Sequence, residues 1–140
     1  ALSHPGGSLG RKLLLRLEDI MHSGTEVPVV VQSATIKDAL LEISKKGLGM
    51  TAVVDDAGAL AGIFTDGDLR RILDQRYDIH TSLIADVMTR RCITAQPQML
   101  AAEALQIMQQ KKINGLIILD DSGKPVGAMN MHDLLRAGVL

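Results

Sequence analysis

Two short motifs carry the chemistry this sequence could perform: Thr65-Asp66-Gly67-Asp68 and, 65 residues further on, Asn130-Met131-His132-Asp133. Each sets a hydroxyl or an amide three residues ahead of a carboxylate. One reading is a helix N-cap whose partner at the third helical position returns the hydrogen bond. The other is a nucleotide site. There the Asp accepts hydrogen bonds from ribose hydroxyls, while exposed N–H groups and the Thr hydroxyl attract phosphate. Duplication favours a ligand, but it would copy a cap equally well, so both readings stay open. Arg70 and Arg71 follow Asp68 after Leu69 and could reach a phosphate across a cleft.

The remaining polar residues point to less. Asp55-Asp56 and Asp120-Asp121 stand beside Gly in turn-like stretches, where Asp serves local backbone hydrogen bonds better than a metal. His4, His22, His80 and His132 show no ligand spacing, so no metal site is expected. Cys92 has no Cys-x-x-Cys partner and reads as a small, partly buried side chain. The basic pairs Lys45-Lys46, Arg90-Arg91 and Lys111-Lys112 read as solvated helix ends. No nucleophile elbow, phosphate-binding Walker loop or dinucleotide fingerprint is present, which argues against an autonomous enzyme.

The elements that must position these residues follow from an internal repeat. Asp19-Ile20-Met21 recurs as Asp86-Val87-Met88 at an offset of 67. Asp38-Ala39-Leu40, Asp55-Asp56-Ala57-Gly58, Gly62 and Asp68-Leu69 all recur at an offset of 65. Within each copy the grammar is the same. Ile36, Leu40 and Ile43 mark one face of a helix that Gly47 and Gly49 would close. Residues 50–54 and 60–65 read as strands joined by the Asp-Gly turn, with a second helix starting near Asp68. The second copy predicts a helix over 100–111, strands over 116–119 and 126–129, and a helix from His132. Short leading strands at 27–31 and 93–95 complete β-α-β-β-α twice, an α/β (α+β) fold class. One copy of about 65 residues buries only about 60% of its unfolded surface, so two must pack together, sheet against sheet.

Composition narrows the function classes. With 15 Lys and Arg against 16 Asp and Glu, the net charge of −1 excludes a dedicated nucleic-acid binder, and Tyr77 and Phe64 are the only aromatics on which a base could stack. The longest apolar runs are too short to cross a membrane, and the lone Cys fits a reducing cytoplasm. The opening at Ala1 instead of Met suggests a piece of a longer protein.

With its Asp-Ile-Met-His and Asp-Val-Met-Thr heads and the Gly-Ile-Phe-Thr-Asp-Gly-Asp-Leu end of the first copy, the tandem repeat resembles a pair of cystathionine-β-synthase (CBS) domains. The resemblance implies a pseudo-symmetric pair with nucleotide sites in the central cleft. It carries phosphate and ribose contacts onto Thr65 and Asp68, and the second ribose contact onto Asp133. Asn130 departs from the usual Thr or Ser, with His132 as a substitute contact. Ser33, ahead of the first long helix, and Asp86, heading the second copy, are secondary candidates, each also readable as a cap. The opening residues 1–14, Thr65-Asp66-Gly67-Asp68-Leu69-Arg70-Arg71 and the closing His132-Asp133-Leu134-Leu135-Arg136-Ala137-Gly138 resemble the C-terminal part of bacterial arabinose-5-phosphate isomerases, in which a sugar isomerase (SIS) domain precedes the pair.

On that resemblance, residues 1–17 are the tail of the SIS domain and a linker, 18–82 the first CBS domain and 83–140 the second. His4 falls in the isomerase active-site region but cannot catalyse alone. The implied role is a cytoplasmic regulatory module of 3-deoxy-manno-octulosonate (Kdo) and lipopolysaccharide synthesis. It would need no cofactor and would bind CMP-Kdo or another cytidine or adenosine nucleotide as feedback ligand. Its implied partners are its own SIS domain and further copies of the chain, with neither nucleic acid nor membrane. The alternative is an oligomerisation module without a ligand.

Overall fold

The computed structural model describes residue 10 and residues 13–140. His4 and most of the opening stretch therefore lie outside the described residues.

Strand, helix and turn follow local chemistry in both halves. Helix α1 (Leu17–Ile20) leads into strand β1 (His22–Ser23). Strand β2 (Val29–Val31) then precedes helix α2 (Ile36–Lys46), which turns Ile36, Ala39 and Ile43 inward and ends at Gly47 in the left-handed region, φ 73°. Strands β3 (Met50–Val54) and β4 (Leu60–Thr65) form the hairpin, with Asp55 Oδ1 accepting from the N–H groups of Ala57 and Ala59 inside the turn. Helix α3 (Asp66–Ile72) closes the first half. The second half runs β5 (Thr94–Ala95), α4 (Ala101–Lys111), β6 (Gly115–Leu119), β7 (Pro125–Asn130) and α5 (Met131–Arg136). Asp120 Oδ1 repeats the turn chemistry, accepting from Ser122 and Lys124. The Ser122 hydroxyl, more than any other contact, holds the Asp120 carboxyl below its ordinary range.

Two differences from the sequence reading have simple causes. Helix α3 starts at Asp66 and α5 at Met131, because the Thr and Asn are the caps and the helix begins one residue beyond them. Thr35, not Ser33, caps α2, in a reciprocal pair with Asp38.

The strands form two sheets, β2-β3-β4 and β1-β7-β6-β5. In each, the hairpin is antiparallel and the leading strand pairs parallel with its first arm. Met50 and Ala52 of the first sheet pack with Ile117 and Ala128 of the second, together with Val27 and Leu48. This is the seam between the halves. The outer faces are covered by helices. Ala39, Ile43, Val53 and Phe64 build one outer core, and Ala101, Ala104, Met108, Ile118 and Leu134 build the other.

The halves also exchange their leading segments. Leu17, fully buried, belongs to the core of the second half, and β1 pairs antiparallel with β7 through His22↔Ala128. Reciprocally, Ile84 and Met88 join the core of the first half, and Thr89 bridges to Ile63 of β4. Residues 22 and 89, and 63 and 128, are the repeat equivalents, so the same exchange is made twice.

Candidate functional site

Each motif stands where the second hairpin strand passes into a helix. Thr65 Oγ1 accepts from Asp68 N–H at 3.1 Å, and Asp68 Oδ2 accepts from Thr65 N–H at 3.0 Å. Asn130 and Asp133 make the same reciprocal pair at 3.1 and 2.9 Å. Both Thr65 and Asn130 are therefore caps, and each spends one oxygen of its Asp partner on the backbone.

The second carboxylate oxygen distinguishes the halves. Asp68 Oδ1 accepts from Arg71 Nη1 at 2.6 Å and from the Thr89 hydroxyl at 3.1 Å. Asp133 Oδ1 pairs with Arg136 and with His22 Nε2, the latter at 2.9 Å. His22 Nδ1 meets Glu26 Oε1 at 2.7 Å, so a carboxylate faces each ring nitrogen. The hydrogen bond that His22 Nδ1–H donates to Glu26 raises the His22 pKa most. Burial opposes it, and Asp133 adds to the rise.

Those contacts make the two sides of the pseudo-symmetric seam unequal. On the Asp68 side a cleft of about 870 Å³ opens between the halves. Its walls include Thr65, Asp68, Arg71 and Thr89 on one side, with Asn130 and His132 across from them. Backbone hydrogen bonds hold the two lips in matching positions: Asp66 N–H donates to Gly49 O at 3.1 Å, and Met131 N–H to Asn114 O at 3.0 Å. Asp133, buried beneath His22 and Arg136, does not line this cleft. Ser33 and Asp86 are exposed and do not line it either.

The cleft has a definite chemical character. Its charged walls are Arg70, Arg71, Arg91 and Lys112 against Asp66 and Asp68, an excess of two positive charges in a chain of formal charge −1. Met50, Ile63, Ile93, Ile113 and Met131 supply apolar surface, and among the described residues neither Phe64 nor Tyr77 lines it. A base there would rest on aliphatic and thioether groups while anionic groups faced the guanidinium rim. Cys92 also lines the cleft, but burial pushes its thiol pKa up, which leaves it a poor nucleophile at neutral pH. A second depression, about 560 Å³, lies at the far end of β5 and β6, where Glu103, Asp120 and Asp121 give it the opposite charge. Among the described residues no cluster of three or more His, Cys, Asp or Glu could hold a metal, and no helix is long and apolar enough to cross a membrane.

Thr89, Arg91, Lys112 and His22 were not anticipated as site residues. The repeat held the signal for two of them, since Thr89 follows Met88 as His22 follows Met21.

Comparison with known proteins gives this geometry a context. The family model for the CBS domain matches residues 17–75 and 84–140. The whole chain is 55% identical to arabinose 5-phosphate isomerase KdsD of Pseudomonas aeruginosa, covering 43% of that protein. It is 54% identical to arabinose 5-phosphate isomerase KdsD of Escherichia coli (strain K12), covering 42%. The chain thus spans less than half the length of the curated relatives it matches. Among solved structures it is similar to the CBS domain pair of protein MJ0100 in complex with 5′-methylthioadenosine and S-adenosyl-L-methionine, with a TM-score of 0.78 and 25% identity, covering 88% of this chain and 94% of that one.

Proposed function

The chain belongs to the CBS domain family as two repeats in tandem, and from that premise we propose that it is the nucleotide-sensing regulatory part of an arabinose-5-phosphate isomerase. The single observation that carries the reading is the cleft beside Asp68, where a ribose-competent carboxylate, a hydroxyl and a cationic rim meet apolar walls. The adenosine derivatives in the MJ0100 pair support a ligand built on a nucleoside. Identity to the isomerases over the full chain supports a sugar isomerase domain as the covalent partner.

Within this reading Thr65 and Asp68 face the ribose and phosphate, and Arg71 exchanges part of its pairing with Asp68 for the ligand's anion. Asn130 and His132 close the opposite lip. One site is favoured over two, because Asp133 is buried and lies outside the cleft that Asp68 lines. The finer proposal is that the ligand is CMP-Kdo, a nucleotide sugar made downstream of the isomerase product, acting as feedback. Regulation then requires the ligand to favour one of two arrangements of the full protein, since equal affinity shifts nothing. The module also brings copies of the parent chain together as a homo-oligomer.

A thermal-shift panel tests the ligand. AMP, S-adenosylmethionine, CMP and CMP-Kdo are added to the 140-residue chain, with unfolding followed by an external dye because the chain has no Trp. A ligand at a hundred times its Kd stabilises by about 2.7 kcal/mol, a rise of roughly 5–10 °C. Asp68→Ala should abolish that rise. If none of the four moves the transition at millimolar concentration, the sensing function is excluded and a ligand-free assembly module remains.

A further inference from the structure

We propose that Lys112 is an anion-binding residue of the cleft and that it makes the site select phosphorylated nucleotides over their nucleosides. The inference rests on the nucleotide reading above and extends it to a residue and a specificity.

The first observation is backbone conformation. Lys112 has φ 56°, and among the described residues no other non-glycine has a positive φ. It ends α4 as Gly47 ends α2, and the two are repeat equivalents. The Gly47 N–H closes onto Ile43 O, and the Lys112 N–H onto Met108 O. The first half therefore solves this helix end with Gly, φ 73°, which adopts the left-handed region without a Cβ penalty. The second half meets the same demand with a Lys, which does pay that penalty. Strain of this kind persists where something else requires the side chain.

The second observation is what the side chain could serve. A cation at a helix C-terminus suits the dipole, but Lys111 next to it already supplies one. Among the described residues, Lys112 makes no ion pair and no side-chain hydrogen bond that would account for its retention. It does line the cleft, as do Arg70 and Arg91, which likewise make no ion pair among the described residues, and Asp68 with its Arg71 partner. An ammonium there adds a flexible donor to a rim that already carries an excess of positive charge. Its natural complement is the phosphate of a nucleotide, not the base or the ribose.

The test compares the wild-type chain with Lys112→Gly and Lys112→Arg, titrating each with AMP against adenosine and CMP against cytidine. Each pair of probes differs only by the phosphate. Lys112→Gly should raise Tm by roughly 2–4 °C as the left-handed strain is relieved. It should also weaken nucleotide binding about tenfold or more, leave nucleoside affinity within about twofold, and be rescued by Lys112→Arg. Unchanged nucleotide affinity in a stabilised Lys112→Gly, alongside loss of binding in Asp68→Ala, overturns the role of Lys112 and leaves the nucleotide site standing. Equal weakening of nucleotide and nucleoside overturns the phosphate assignment. A wild-type chain that binds none of the four probes removes the nucleotide reading and this inference with it.

Discussion

His22 Nε2 and Asp133 Oδ1 meet at 2.9 Å although they stand 111 positions apart in the chain, and in the other half the Thr89 hydroxyl meets Asp68 Oδ1 at 3.1 Å. Each motif carboxylate is thus held by the leading segment of the opposite repeat. A histidine covers the buried Asp133 where, at the equivalent position, a threonine meets the Asp68 that lines the cleft.

That difference gives stability a pH dependence through His22. The folded state raises the His22 pKa, chiefly through Glu26, so the folded chain holds the imidazole proton more tightly than the unfolded chain. The stabilisation is therefore fully present below the unfolded value near 6.5 and fades as pH rises through the folded value. Arg136, which also faces Asp133, competes with His22 for that carboxylate. With the ring partly exposed and Glu26 largely so, the contribution is below about 1 kcal/mol. Urea unfolding between pH 6 and 8.5 should show a falling midpoint that flattens in His22→Gln. An equal slope in the variant would assign the pH dependence elsewhere.

The exchanged segments press on a glycine in each sheet, and the two should not tolerate a methyl group equally. A Cβ on Gly62 would lie 2.8 Å from Met88 Sδ and also 2.8 Å from the Thr89 carbonyl oxygen. That carbonyl accepts the Ile63 N–H at 2.9 Å and is fixed by the bridge. On Gly127 the obstacles are atoms of the Met21 side chain, which can rotate away. Gly62→Ala should cost about 1–3 kcal/mol and Gly127→Ala less. Matched chemical denaturation of the two variants checks the order.

The caps of helices α2 and α3 in the first half give a second comparison. Thr65→Ala and Thr35→Ala each remove a hydroxyl that accepts a backbone N–H, at 3.1 and 3.2 Å. Each should cost about 1 kcal/mol. Only Thr65 lines the cleft, so only Thr65→Ala should also weaken nucleotide binding. A loss of binding in Thr35→Ala that exceeds its stability loss would mean that ligand affinity reports general loosening and not contact.

Features decided locally were legible in the sequence. Asp55 and Asp120 bond within their own turns, so the hairpins could be read from four residues each. Gly47 ended α2 as its backbone freedom predicts. Thr35 was equally legible, since Thr35-x-x-Asp38 has the same form as Thr65-x-x-Asp68, and Ser33 drew the reading away from it. The repeat offset made Thr65, Asp68, Asn130 and Asp133 stand out, but it could not tell that Asp133 is covered and Asp68 borders a cleft. That outcome depends on where His22 and Thr89 land after crossing to the other half. Lys112 was hidden for a related reason, because a basic pair at a helix end reads as solvated until its φ is known.

The exchange itself predicts where damage should spread. Leu17 lies early in the first repeat, yet it is fully buried among Ala101, Ala104, Met108, Leu116 and Leu134 of the second. Its backbone N–H donates to Met99 O at 2.9 Å, which ties α1 to the entry of α4. Leu17→Ala should cost about 2–5 kcal/mol, because a core fixed by two helices and a sheet collapses only partly around the cavity. Hydrogen exchange then separates the two halves. Amides of β6 and β7 should lose protection before those of β3 and β4, since the first half keeps Phe64, Val53 and Ile84 intact. Earlier loss in β3 and β4 would show that the leading segment stabilises the repeat it belongs to in sequence and that the two halves do not exchange support in solution.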